Sequence, residues 1–260
     1  MSMVNIVGLA WWVVACFFGV LYQWEGKDAM SRKGIILKGI AAFCVVGYAI
    51  TLIAMFGNPS DASIDFVIGL VLVSLGDILV AYLEHVGDGT SKSLLDAIAG
   101  RSFVKKIIIS ITGVLFIVSY FMQMVAFIKG ISQYANATDF VVPFLICLVL
   151  PPVITVFGGI LAKYRIPDTD LSVFIIGAFY ILLASAHFAA ATVFAISLSR
   201  TDALHSVWII FGSFLFFLSL LTVELRIAKP AMHDTRIMRM TSRLLTFLGR
   251  MILAGCAFLL

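Results

Sequence analysis

Gly69-Leu70-Val71-Leu72-Val73-Ser74-Leu75-Gly76-Asp77-Ile78-Leu79 is the stretch on which the reading of this chain turns. It lies in the apolar run 64–83, about the ~20 residues that an α-helix needs to cross a bilayer. Asp77 stands thirteen residues into that run. A carboxylate at such depth costs about 2.5–3.5 kcal/mol on insertion scales, so it faces the bundle interior or a watery cavity and marks a functional site. Ser74 lies one turn before it and Glu84 two turns after, on the same helix face.

Seven further runs of similar length flank this one, at 3–22, 35–56, 104–128, 139–162, 171–198, 205–227 and 243–260. The chain is 62% hydrophobic and 12% charged, whereas soluble domains run about 45–50% apolar and 25% charged. The expectation is an all-α integral membrane protein, a single bundle of about eight transmembrane helices over residues 1–260. The loops are short, which makes successive helices antiparallel neighbours. No basic segment precedes the first run, so no cleavable leader is expected.

Charge sets an expected orientation. Fourteen of the eighteen Lys and Arg fall in the loops of one side and two, Lys129 and Arg200, on the other; Lys38 and Arg250 lie within spans. Basic loops stay in the cytoplasm, which predicts that both termini are extracytoplasmic. This asymmetry accounts for the net charge of +4 without a nucleic-acid partner. Cys16, Cys44, Cys147 and Cys256 sit in apolar spans and read as small hydrophobes. Asn136-Ala137-Thr138 is a glycosylation sequon on the outer side.

Within the fifth run, Pro143, Pro151 and Pro152 predict a bend. The longest loop carries a small amphipathic stretch at 94–98, suited to the membrane surface or to a plain tether. Gly69 precedes Asp77 by eight residues and Gly212 precedes Leu220 by eight, in helices that run the same way. That spacing suggests two parallel four-helix repeats.

The remaining charges in spans cluster toward the basic side. Lys38 is just inside helix two, Glu84 and Glu224 end helices three and seven, and Arg250 is about two turns into helix eight. These groups and Asp77 form one site in this reading, although long side chains near span ends also reach the interface by themselves. An Asp77–Arg250 pair that only fixes helix positions is the alternative. His187, among Ala and Phe, reads as a hydrogen-bonded packing residue. No His/Cys/Asp/Glu spacing suits a metal, and neither a phosphate-cradling Gly-rich loop nor a Gly-x-Ser-x-Gly elbow is present. No cofactor is expected.

The helix-three stretch, with Ser74-x-Gly76-Asp77-x-x, resembles the first motif of the YhhN-type lysoplasmalogenase family. Lys38 matches that family's early helix-two lysine, the segment from Gly113 and Phe116 to Phe127 resembles the part after the first motif, and Gly212-x-x-x-Phe216-x-x-Ser219 resembles the second. The resemblance spans about 35–260. The chain differs in having Leu220 where the second motif has aspartate, and Tyr120 and Gln123 where the family has His and Tyr. Near the end only Phe247 and Arg250 stand in for its aromatic-and-glutamine signature.

The resemblance implies hydrolysis of the vinyl-ether bond of a lysophospholipid by two carboxylates. Asp77 would act as acid or base, with Glu224 or Glu84 as the second carboxylate. Lys38 and Arg250 would hold the substrate phosphate or tune Asp77, and Ser74, Tyr120 and Gln123 would line the substrate site. The alternative is a non-catalytic membrane homologue that binds or transports a lipid or small amphiphile.

Overall fold

The computed structural model describes residues 3–25, 31–56, 59–86, 103–134, 141–165, 171–228 and 236–260. Eight helices account for nearly all of them: α1 Met3–Glu25, α2 Arg32–Phe56, α3 Asp61–Val86, α4 Phe103–Tyr134, α5 Val141–Arg165, α6 Leu171–Leu198, α7 Ala203–Ala228 and α8 Arg236–Gly255. A 3₁₀ turn, Ala257–Leu259, follows. No strand occurs among the described residues. The 94–98 stretch and the sequon at Asn136 lie outside them.

Among the described residues, seven helices are long and apolar enough to cross a membrane; the apolar segment of α5, Val141–Phe157, is shorter. The bundle is that of a multi-pass integral membrane protein. The expected runs match the helices to within about three residues at each end except in two places, at α4, which runs on from 128 to Tyr134, and at the end of the chain. There the run at 243–260 becomes a helix that begins at Arg236 and stops at Gly255. The first two turns of α8 are amphipathic, with Arg236 and Arg239 among apolar residues, so a search for unbroken apolar sequence misses them.

Local chemistry sets the starts. The Ser31 hydroxyl accepts the Gly34 N–H at 2.9 Å and caps α2. Ser60 and Ser63 cap α3 reciprocally, each hydroxyl accepting the other's backbone N–H, at 3.0 and 2.9 Å. Asp202 caps α7 by accepting the His205 N–H at 3.1 Å, and that bond is the main reason its carboxyl titrates below the usual range. In α5, Pro151 and Pro152 lie inside the helix, and the Thr155 hydroxyl donates to the Pro151 carbonyl at 2.8 Å.

Neighbouring helices pack in sequence, α1 on α2, α2 on α3, α3 on α4, then α5 on α6, α6 on α7 and α7 on α8. The two halves meet through α4 on α6, α2 on α8 and α1 on α8. Exchanging helices one to four with five to eight maps these pairs onto one another except α1 on α8, which has no counterpart among them. Glycines carry the equivalent close approaches. A Cβ on Gly69 of α3 would lie 3.0 Å from the Ser119 carbonyl of α4, and one on Gly212 of α7 would lie 3.2 Å from the Gly249 carbonyl of α8. Without a hydrophobic drive between helices in lipid, such small-residue contacts are what bring backbones together.

Candidate functional site

Asp77 projects from α3 toward α8, where the Arg250 guanidinium Nη1 donates to its Oδ2. Lys38 of α2 approaches the other carboxylate oxygen, with Nζ 3.8 Å from Oδ1. The three side chains keep 15%, 11% and 14% of their surface exposed, so the cluster is largely but not fully covered. Three helices therefore deliver three charges to one point within the span, as expected for groups too costly to leave alone in lipid. Gly76 lets the α4 ring of Phe116 lie over the helix beside Asp77, since a Cβ there would sit 3.2 Å from that ring.

Aromatic rings support the charges. The Arg250 Cζ lies 5.4 Å from the Phe216 ring centroid on α7, a contact worth about 0.5–2 kcal/mol. Phe216 in turn meets Tyr120 edge-on at 5.4 Å and His187 at 5.4 Å. Tyr120 is buried, 2% exposed, stacked on Phe116. On the other side, the Lys38 Nζ stands 5.6 Å from the Tyr22 ring of α1, and the Arg243 Cζ of α8 stands 5.7 Å from that same ring.

Above the charged cluster runs a chain of buried hydrogen bonds. The Ser119 hydroxyl donates to the Gly69 carbonyl at 2.8 Å, the Gln123 amide nitrogen donates to Ser119 at 3.2 Å, and His187 Nε2 bonds the Gln123 amide oxygen at 3.1 Å. An amide oxygen only accepts, so this contact sets the His187 tautomer with its proton on Nε2. The chain ties α3, α4 and α6 together, and His187 is the hydrogen-bonded packing residue that its surroundings suggested.

Of the residues expected at the site, Asp77, Lys38 and Arg250 come together, and Tyr120 lies next to them through Phe216. Ser74 and Gln123 were expected to line a substrate, but both already serve the fold. The Ser74 hydroxyl donates to the Leu70 carbonyl at 2.7 Å, and Gln123 is held at both ends by Ser119 and His187. Glu84 and Glu224 belong to α3 and α7, and their side chains lie outside the described residues. Leu220, half-buried, is one turn from Phe216 on the same side of α7. Arg250 of α8 links Asp77 of α3 to Phe216 of α7.

Tyr22 and Arg243 escaped the sequence reading, and Phe216 entered it only as a motif position with no contact assigned to it. Aromatic rings in apolar runs carry no distinguishing mark. Arg243 did carry one, because Arg239, Arg243 and Arg250 follow at intervals of four and seven, which places them on one face of α8. Among the described residues no cluster of three metal-ligating side chains occurs. A second feature, an apolar groove of about 400 Å³ between α4, α5 and α6, is lined by Met124, Phe144 and Leu183 among others. No family model, no curated protein and no solved structure matches the chain.

Proposed function

We propose that the protein is a lysoplasmalogenase-like membrane hydrolase that cleaves the vinyl-ether bond of a lysophospholipid. The observation that supports this reading is the convergence of Lys38, Asp77 and Arg250 from three helices onto one largely buried point inside the span. In this reading protonation of the outer vinyl carbon gives an oxocarbenium ion. Asp77 takes a proton from the water that attacks it, and the resulting hemiacetal collapses to a fatty aldehyde and a glycerophospho-base. One water is consumed, and the proton gained by Asp77 replaces the one given to carbon. Glu224 or Glu84 supplies the carbon-directed proton, being the carboxylates that follow on α7 and α3. Lys38 and Arg250 orient Asp77.

One observation favours the alternative, a protein that binds or moves such an amphiphile without cleaving it. Cations already face both oxygens of Asp77, and Leu220 stands at the second-motif position. The two readings separate in one assay. Purified protein in nanodiscs is given a lysoplasmalogen and, in parallel, the 1-acyl analogue, and aldehyde release is followed with a coupled dehydrogenase. Aldehyde from the vinyl ether alone supports the hydrolase; binding of the lipid with no aldehyde at high protein concentration removes it.

Two further outcomes follow from this reading. Leu220 lies a turn from the Phe216–Arg250 contact, so Leu220→Asp places a second carboxylate within reach of the cationic cluster. That variant should fold and release aldehyde faster than the parent. If residue 220 instead faces lipid, the variant should lose about 2–4 kcal/mol of stability, and an aggregated protein would count against the alignment of α7 with the second motif. For orientation, a tag on either terminus should be cleaved by protease added to intact cells; protection of both tags would reverse the assignment drawn from the basic loops.

A further inference from the structure

Arginine carries five N–H donors in one plane, and the fold leaves one of them unspent at Arg250. Nη1 donates to Asp77 Oδ2. Nε is enclosed by protein, in a residue that is 9% exposed, and meets no acceptor among the described residues. The guanidinium is not free to turn elsewhere. Phe216 lies 5.4 Å from Cζ, and one residue back along α8 a Cβ on Gly249 would lie 2.9 Å from the Phe216 nitrogen, so α8 is pressed against α7 here. A buried donor without an acceptor is uncommon in folded proteins and calls for a partner that the fold itself does not supply. Asp77 shows the complementary surplus. Its Oδ2 is taken by Arg250, whereas Lys38 Nζ stands 3.8 Å from Oδ1, beyond hydrogen-bond reach. An ionised carboxylate accepts through both oxygens, so Oδ1 keeps accepting capacity on a side chain that is 15% exposed. The ion pair thus presents one unspent donor and one unspent acceptor.

We propose that this leftover pair reads the glycerol of a single-chain lipid. The free hydroxyl on the middle carbon donates to Asp77 Oδ1, and the neighbouring oxygen on the headgroup side accepts from Arg250 Nε–H. The assignment rests on the lysophospholipid reading above and deepens it by naming the residues that select a lipid with one chain. A glycerol carries its oxygens on adjacent carbons, one able to donate and the next able to accept, which matches a donor and an acceptor joined through one ion pair. In a two-chain lipid the middle oxygen is esterified and has no proton to give, so Asp77 would face an acceptor. The order of the two contacts follows from charge. The chain-side oxygen becomes positive in the hydrolysis proposed above, and a guanidinium against it would oppose that step. With Arg250 on the headgroup side the conflict is absent, and the remaining lone pair of Oδ1 is left for the attacking water.

The test uses the purified full-length chain in micelles of an uncharged detergent, with affinities from calorimetric titration. Three probes are compared: a lysophospholipid with a saturated ether chain, its analogue with hydrogen in place of the middle hydroxyl, and the glycerophospho-base without a chain. A site that bonds a ligand hydroxyl rejects the analogue lacking it, because the buried partner is then left unmatched. The hydroxylated lipid should therefore bind at least about tenfold tighter than the deoxy analogue, the effect of one hydrogen bond to a charged group. Arg250→Lys keeps a cation for Asp77 but has no Nε donor. It should weaken both lipids about tenfold and leave their ratio unchanged. The Asp77→Leu, Arg250→Met double variant exchanges the pair for apolar groups of similar volume, a change that folds tolerate, and should bind the two lipids alike.

Equal affinity of the parent for the two lipids would overturn the proposal, since the ion pair would then be filled by water and not by the ligand. This comparison needs no variant to fold. A preference for the hydroxylated lipid that survives in the folded double variant, or a folded Arg250→Lys protein with unaltered affinity, would overturn it as well. A chainless glycerophospho-base that binds as tightly as the lipid would overturn the lipid assignment in favour of a free polyol ester. None of the probes contains a vinyl ether, so failure of the hydrolase reading and failure of this one give different results.

Discussion

Replacing Asp77 with asparagine should lower the stability of the protein by about 3 kcal/mol, and adding Arg250→Gln should restore most of that loss. Removing one member of a buried ion pair leaves the other charge without compensation, whereas removing both is close to neutral. Here the carboxylate serves two cations, so Asp77→Asn leaves Arg250 and Lys38 facing each other across a neutral amide. The side chains keep 15% and 11% exposure, which puts the expected cost at the lower end for such pairs. The amide keeps the shape of the carboxylate, but the contact with two cations makes the lost charge matter for folding. Unfolding of the single and double variants in mixed micelles measures this directly. A single variant as stable as the parent would mean that the cluster carries no folding energy.

A larger effect is expected one residue before Arg250. A Cβ on Gly249 would lie 2.8 Å from the Gly212 carbonyl oxygen and 2.9 Å from the Phe216 nitrogen. Both atoms are backbone, so no rotamer change relieves the contact; α7 and α8 must move apart. Gly249→Val should therefore cost more than about 3 kcal/mol or prevent folding, beyond the usual range for overpacking. It should also remove any activity, because Arg250 reaches Asp77 only while α8 lies against Phe216. Gly39→Ala is the matched control: its Cβ would meet only the Ile78 side chain at 3.5 Å, and the better helix propensity of alanine offsets any crowding. Thermal melts of both variants test the α7–α8 contact, and a Gly249→Val protein that melts with the parent would contradict it.

The sequence revealed the fold class and much of the site because the physics of lipid leaves few options. A run of twenty apolar residues has one stable form in a bilayer, so the helices could be counted. A buried Asp77 must find a cation, and Arg250 and Lys38 were the two that lay within spans, so their meeting could be anticipated. What could not be read was which residues surround them. Tyr22 looks like any other aromatic residue in an apolar run until tertiary packing places cations against it, and the motif position of Phe216 gives no sign of the guanidinium it meets. Ser74 and Gln123 look available as polar residues in a span, but a hydroxyl or amide in lipid is as readily consumed by a backbone carbonyl or a neighbouring helix. The start of α8 was hidden because its amphipathic first turns break the apolar run while continuing the helix.

The central claim is that Asp77, set between Lys38 and Arg250, works on a lysophospholipid. Its most direct test is aldehyde release from a lysoplasmalogen by the parent and by the Asp77→Asn, Arg250→Gln double variant, with both proteins shown to be folded in nanodiscs. The account predicts steady release by the parent and none above background by the double variant, which has lost the carboxylate but not the fold. Equal release by both, or none by the parent while the lipid is bound, would contradict it.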